Sequence, residues 1–179
     1  GLLAAWEDGM PARLLFPNAT FVVSEACWQR ALAPHARDRA SFIAELQPLL
    51  ESSGRLEFVR GAHTPVLGDS VRFHYSDGDT PGLMLAEIVG ENDQGGVVFC
   101  ADLSPGAPWV HVPVTMGYDR FPELLVDEKR AFLTDKVARN VRLFFTHDPK
   151  IASASVQFQN GKFIVSDPID KFESASLGA

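Results

Sequence analysis

The stretch Ser76-Asp77-Gly78-Asp79-Thr80-Pro81-Gly82 lies between two apolar runs, 71–75 and 83–89, and packs two glycines, a proline and two aspartates into seven residues. A fast hairpin needs far less. Pro81 fixes its own φ and pushes Thr80 toward extended geometry, while Gly78 and Gly82 permit φ > 0 or close backbone approach. A turn of this kind holds a side chain rigidly at a strand end, where catalytic and ligand groups are often presented. Asp79 is the side chain in question.

Working outward, the 179 residues carry 16 Lys+Arg against 23 Asp+Glu, a formal net charge of −7, with 46% apolar content. Length and composition fit one globular domain or a large part of one. The acidic balance argues against a nucleic-acid groove or an anionic membrane surface, both of which reward clustered Lys/Arg. No run approaches the roughly 18 apolar residues of a membrane span, and no basic-then-apolar signal peptide opens the chain. Cys27 and Cys100 lie far apart in apolar contexts and read as buried free thiols in a reducing compartment, so the expected location is cytoplasmic. The first residues read as the middle of an element, with no cap or methionine before them. That points to a fragment, a processed chain or a preceding segment.

Residues 2–7 read as the end of a short helix and 20–23 as a strand, after which Ser24 caps a helix to about 32. A second helical stretch spans 38–53, with Phe42, Ile43, Leu46, Leu49 and Leu50 at core spacing, Pro48 as a kink and Gly54 as its stop. The period then changes to short strands at 56–60, 71–76, 83–89 and 97–101. A Pro- and Gly-rich loop over 103–118 is long enough to be either functional or tightly packed. Residues 121–140 form the clearest helix, with Leu124, Leu125, Phe132 and Leu133 inward and an Asp135–Arg139 pair at i,i+4. A strand at 141–145 ends at Thr146-His147-Asp148-Pro149. Asn160-Gly161 centres a hairpin of 156–158 with 163–165. The division expected is one domain over 1–166 and a polar, mobile tail over 167–179.

Three strand ends thus carry groups of metal-ligand type, namely Asp79, Asp102 and His147. Val-Val-Phe-Cys-Ala before Asp102 reads as a buried strand, so its terminal carboxylate emerges from the core. Carboxylates and imidazole suit zinc, iron or manganese. The plainer alternative is that Asp102 and His147 cap loops and Asp148-Pro149 is an ordinary turn. In the long loop, Trp109, His111 and Tyr118 are candidates for lining a substrate pocket, or for packing the loop. Tyr118-Asp119-Arg120 suits side-chain bonds that fix it. His63 reads as a loop histidine; His35 and His74 read as surface or packing histidines.

Gly78-Asp79-Thr80-Pro81-Gly82 before an apolar strand resembles the Gly-His-Thr-Pro-Gly turn of the metallo-β-lactamase superfamily. Cys100-Ala101-Asp102 resembles that family's Gly-Asp strand end, Phe145-Thr146-His147 its last histidine, and 15–19 with 22–24 the segment after its first metal motif. Order, spacing and the long helix before His147 agree over roughly residues 1–166. The resemblance implies an α/β fold of the αββα sandwich type, mixed sheets flanked by helices, present here only as an incomplete C-terminal portion. It implies that Asp102 bridges two metals and acts in catalysis, that His147 binds one of them, and that Asp79 takes the place of a ligand histidine. A divalent metal follows, zinc first with iron or manganese as alternatives, as one or two ions. The hydroxide between the metals would attack a small-molecule ester, lactone, amide or thioester.

Two departures matter. The His-x-His-x-Asp-His motif is absent from this chain, and aspartate stands at 79 where histidine is the pattern. Two functions are therefore expected side by side: a metallo-hydrolase in the full-length parent, or a non-catalytic fragment that lacks a complete site and pairs with a complementary N-terminal chain or a second copy of itself. A dinucleotide-binding domain is excluded, because no Gly-x-Gly-x-x-Gly turn follows a strand.

Overall fold

The computed structural model describes residues 4–5 and 9–171, and the chain divides into two compact units, 1–60 and 61–179. In the first unit, β1 (Ala4–Ala5) pairs antiparallel with β2 (Arg13–Leu14). The helix expected over 2–7 is therefore replaced at Ala4–Ala5 by a strand. Its other residues lie outside the described set. No local signal marks two alanines as a strand; their partner does. β3 (Phe21–Ser24) and β4 (Leu56–Val59) run parallel, Phe21 opposite Leu56.

Ser24 ends β3 and caps α1 (Glu25–Leu32), its Oγ accepting a hydrogen bond from the Cys27 N–H at 3.3 Å. The single helical stretch expected over 38–53 is broken. A 3-10 turn at Arg39–Ser41 comes first, and α2 (Leu46–Ser52) starts only five residues later. Pro48 is the third residue of α2, where a missing N–H costs no helical bond, so the proline marks the start of a helix rather than a kink inside one. Gly54 stops it at φ +65°. Phe21, Trp28 and Leu50 form this unit's small core, while Ile43 is exposed. An apolar cavity of about 500 Å³ opens among Phe16, Phe21, Trp28, Phe42, Ile43 and Leu46.

The second unit is one six-stranded sheet with a long helix on it. Its strands are β5 (Val71–Ser76), β6 (Leu83–Val89), β7 (Gly96–Phe99), β8 (Arg142–Phe144), β9 (Ser153–Gln159) and β10 (Lys162–Ile169), in the order β10-β9-β8-β7-β6-β5. Every neighbouring pair is antiparallel except β7–β8. That parallel pair needs a crossover, supplied by the 103–118 loop and α3 (Pro122–Ala138). Leu85, Val98, Leu143 and Ala154, one from each of four adjacent strands, are fully buried. Asn160 (φ 50°) and Gly161 (φ 76°) make the expected hairpin turn. β10 continues to Ile169, past the point where a tail was expected. Arg142 holds it there through the Asp167 carboxylate at 2.6 Å and carbonyl at 2.7 Å. Residues 172–179 lie outside the described set.

α3 buries Leu125, Phe132 and Leu133 as its spacing requires, but Leu124 is 42% exposed. The inward positions beside them belong to Lys129 and Lys136, which pattern reading assigns to solvent. Lys136 is bonded to Glu87, to His74 and to Asp135. Burial would raise the Glu87 carboxyl, yet bonds from His74, Arg139 and Lys136 hold it well below the usual carboxylate range. The Asp135–Arg139 pair forms at 2.7 Å. Cys27 and Cys100 are both free thiols. Among the described residues no helix is long and apolar enough to cross a membrane.

Lys129 is fully buried and donates to the Val114 carbonyl, tying the long loop to α3. Burial brings its ammonium down to about 8, against the opposing pull of Asp119. Between that value and about 10.5 the unfolded chain binds more protons at this site than the folded one, so stability rises with pH across the window. A neutral amine still donates to Val114. Urea unfolding of the wild type should show a gain on the order of 2 kcal/mol between pH 8 and 10.5 that Lys129→Met lacks.

Candidate functional site

The turn between β5 and β6 is clamped to the start of α3. Glu128, on the second turn of that helix, accepts from the Ser76 hydroxyl at 2.6 Å, the Asp77 N–H at 2.9 Å and the Gly78 N–H at 3.1 Å. The Gly78 and Asp79 carbonyls accept from the Phe121 and Arg120 N–H groups at 2.8 and 3.0 Å. Inside the turn the Asp77 carboxylate accepts from the Gly82 N–H at 2.7 Å, and Gly82 itself sits at φ 81°. A side chain on Gly78 would place its Cβ 2.4 Å from the Leu125 nitrogen, so the approach requires glycine.

Asp102 and His147 meet because β7 and β8 are parallel neighbours. Phe99 pairs with Phe144, and the same offset of 45 residues brings the Thr146 hydroxyl to the Ala101 carbonyl at 3.0 Å. Carried one residue on, it sets His147 beside Asp102, with Nε2 3.3 Å from Oδ1. Ala101 turns the chain at φ 44°, an unfavourable conformation for a residue with a Cβ, and the strand expected to reach it ends at Phe99. The His147 N–H donates to the Pro105 carbonyl at 2.8 Å, while the Asp148 carboxylate accepts from Ala107, Lys150 and Ile151, each at 2.9 Å. Both side chains reach solvent, Asp102 at 34% and His147 at 61%.

Asp79 is 4% exposed. Burial pushes its carboxyl up to about 7, helped by the Asp102 charge and by a hydrogen bond shared with Asp119, against a bond with Thr80. Asp119, wholly buried, accepts from the Met116 N–H at 2.6 Å. Tyr118 is raised to about 12 by burial and then by Asp102, Asp79 and Asp119. Three carboxyls thus bear on one region of negative potential.

No family model matches this sequence, and no curated protein does. Solved structures do. A probable metal-dependent hydrolase from Staphylococcus aureus superposes with a TM-score of 0.75 at 19% identity, over 89% of this chain and 55% of that one. A hydrolase in the beta lactamase superfamily, AbOPH, gives 0.71 at 17% identity, over 93% and 60%. AidC, a dizinc quorum-quenching lactonase, gives 0.68 at 21% identity, over 90% and 58%. This chain has the metallo-β-lactamase-like fold. It spans somewhat more than half the length of these neighbours.

Within that fold, two of the three strand-end residues of metal-ligand type are brought together. Asp102 and His147 form a carboxylate–imidazole edge, and the Asp102 charge adds to the burial that raises the Asp79 carboxyl. A structural or catalytic zinc takes three or four protein ligands. Among the described residues no three His, Cys, Asp or Glu side chains gather as such a group. Asp79 stands beside the pair electrostatically, bonded elsewhere. Trp109 lies on the 3-10 turn Ala107–Val110 with its Nε1 buried and without a hydrogen-bond partner among the described residues; His111 is exposed just after it. Leu103, Val110 and Val112 are buried beneath, so the loop is tightly packed. His63 bonds the Val71 carbonyl at 3.0 Å, as a loop histidine should. Sequence reading missed Glu128 altogether and gave Asp119 only a role in its own loop, because the turn they hold lies far from them along the chain.

Gly78→Ala should lower unfolding stability by about 3 kcal/mol in urea titrations. Gly117→Ala, whose added Cβ would meet nothing within 4 Å, is the control and should leave the midpoint in place.

Proposed function

We propose that the protein is a metal-dependent hydrolase whose Asp102 and His147 hold a divalent ion, with remaining ligands supplied from outside the described residues. The observation that carries this reading is the 3.3 Å contact of Asp102 with His147 at adjacent parallel strand ends, in a fold shared with metal-dependent hydrolases. Zinc is the first candidate, with iron or manganese behind it, as one or two ions. Such an ion supplies Lewis acidity and an activated water. The chain's own residues position it. Ala101 and Thr146 set the two strand ends at a common height, and Asp148 braces the His147 turn against the loop that follows Asp102. Trp109, His111 and Tyr118 on that loop are the side chains proposed to meet substrate. Among esters, lactones, amides and thioesters, a lactone is the first substrate to test, since AidC is a lactonase bound to a homoserine product. The free thiols suit a cytoplasmic setting.

Asp102→Ala and His147→Ala in the full-length protein should each lose most of the bound metal, measured as zinc per chain by elemental analysis, and with it lactone hydrolysis. A full metal complement in both variants would sink the assignment.

A second reading is favoured by the β3–β4 pair. Parallel strands are ordinarily covered on both faces and belong to larger sheets, whereas this pair stands alone among the described residues beside an apolar cavity. It suits a complementary chain or a second copy that adds strands to β3 and β4. Native mass spectrometry should then find a complex in place of the single 19.6 kDa chain.

A further inference from the structure

We infer that the first unit binds a single-chain fatty acid, its alkyl chain in the apolar cavity between β3, α1 and α2 and its carboxylate on the side edge of the Arg55 guanidinium. The inference is independent of the metal reading above, since all the residues it uses belong to the first unit.

The cavity, of about 500 Å³, has room for about sixteen groups of the size of a water molecule, at roughly 30 Å³ each. β3 and α1 present Phe21, Trp28 and Cys27 to it, and α2 presents Leu46. Among the described residues no charged side chain lines it, so its interior suits an alkyl chain and nothing ionic. Phe16 and Ile43, which also line it, stay 46% and 47% exposed, so the unit's own side chains leave it open to solvent. The cation is placed by the same residues. Arg55 comes just before β4; its N–H donates to the Ser53 hydroxyl at 3.1 Å, and its carbonyl accepts from the Phe21 N–H at 2.7 Å. Its Nη1 donates to the carbonyls of Phe16 and Ala19 at 2.7 and 2.5 Å, and its guanidinium carbon lies 5.0 Å from the centre of the Phe21 ring. Phe16, Ala19 and Phe21 all line the cavity. Those two bonds occupy one nitrogen. Nε and Nη2 donate to nothing among the described residues, and they form the parallel pair of donors that takes a carboxylate in two hydrogen bonds. A chain of about ten carbons and its carboxylate fit the room available. Strand addition at β3 or β4, the second reading above, uses the edges of that pair and gives neither the cavity nor the free edge of Arg55 an occupant.

Isothermal titration calorimetry of the full chain with octanoate, decanoate and dodecanoate, beside decanol, tests this, and Cys27 reports where they bind. Cys27 lines the cavity and the other free thiol, Cys100, is wholly buried, so alkylation by a small maleimide, read by mass spectrometry, follows Cys27. At about ten times its Kd, decanoate should slow that alkylation about tenfold. Each added methylene should tighten binding about fourfold. Decanol should bind about tenfold more weakly than decanoate. Arg55→Met should bring decanoate to the decanol level and leave decanol unchanged, which also shows that the variant folds. Ala31→Leu fills the cavity from α1 and keeps Arg55; it should weaken both ligands about tenfold. Equal binding of decanoate and decanol overturns the inference, as does binding that leaves the rate of Cys27 alkylation where it was. A cavity already filled by a partner chain or a second copy, seen as Cys27 protected in the protein as isolated, overturns it as well.

Discussion

The parallel register of β7 against β8 is the constraint on which the second unit depends. Antiparallel neighbours can be joined by a tight turn, and four of the five pairings in this sheet are antiparallel. A parallel pair cannot be, so residues 100–141 must leave the sheet, cross it and return. Two consequences meet at one place. The C-terminal ends of both strands point the same way, which puts Asp102 and His147 side by side. The returning chain lays α3 along the sheet with its first turns at the loop between β5 and β6. A shift of β8 by one residue would turn His147 to the other face and leave Asp102 without its neighbour.

Keeping α3 in place involves more than apolar burial. Its inward face carries Lys129 and Lys136 between leucines and phenylalanines, and β6 answers with Glu87, also fully buried. A buried ion pair adds little over well-packed apolar groups, but a displaced one is costly because it leaves an uncompensated charge. Sliding α3 by a turn would strip Glu87 of Lys136 and Arg139 and leave Lys129 away from Val114. The charges therefore act as a register device, which a uniform apolar stripe could not be. The same placement sets Glu128 under the Ser76–Gly78 backbone.

Features set by near neighbours were legible in the sequence. Ser24 capping α1, the Asn160-Gly161 hairpin, the i,i+4 pair Asp135–Arg139 and β6 at Leu83–Val89 each follow from residues within a few positions of one another. What escaped reading depends on distant partners. Ala4–Ala5 is a strand because of Arg13–Leu14, and Leu124 faces outward because Leu125, Lys129, Phe132, Leu133 and Lys136 make up the inward face. Glu128 looks like one more surface glutamate on a helix until the turn fifty residues earlier closes over it. For the site, the strand ends could be picked out one by one. Their pairing required the β7–β8 register.

The Gly78–Gly82 turn shows why a motif can speak clearly for a fold and weakly for its chemistry. Gly78 is needed because the Leu125 backbone leaves no room for a Cβ, and Gly82 because the chain passes through φ 81°. Pro81 presets the bend between them. None of these requirements involves a metal, and each would persist in a protein that bound none. Asp79, in the middle of the turn, is 4% exposed and set by its surroundings rather than by the turn's shape. The turn's shape and the turn's ligand are thus separable, and the scaffold built by α3 holds the first whatever becomes of the second.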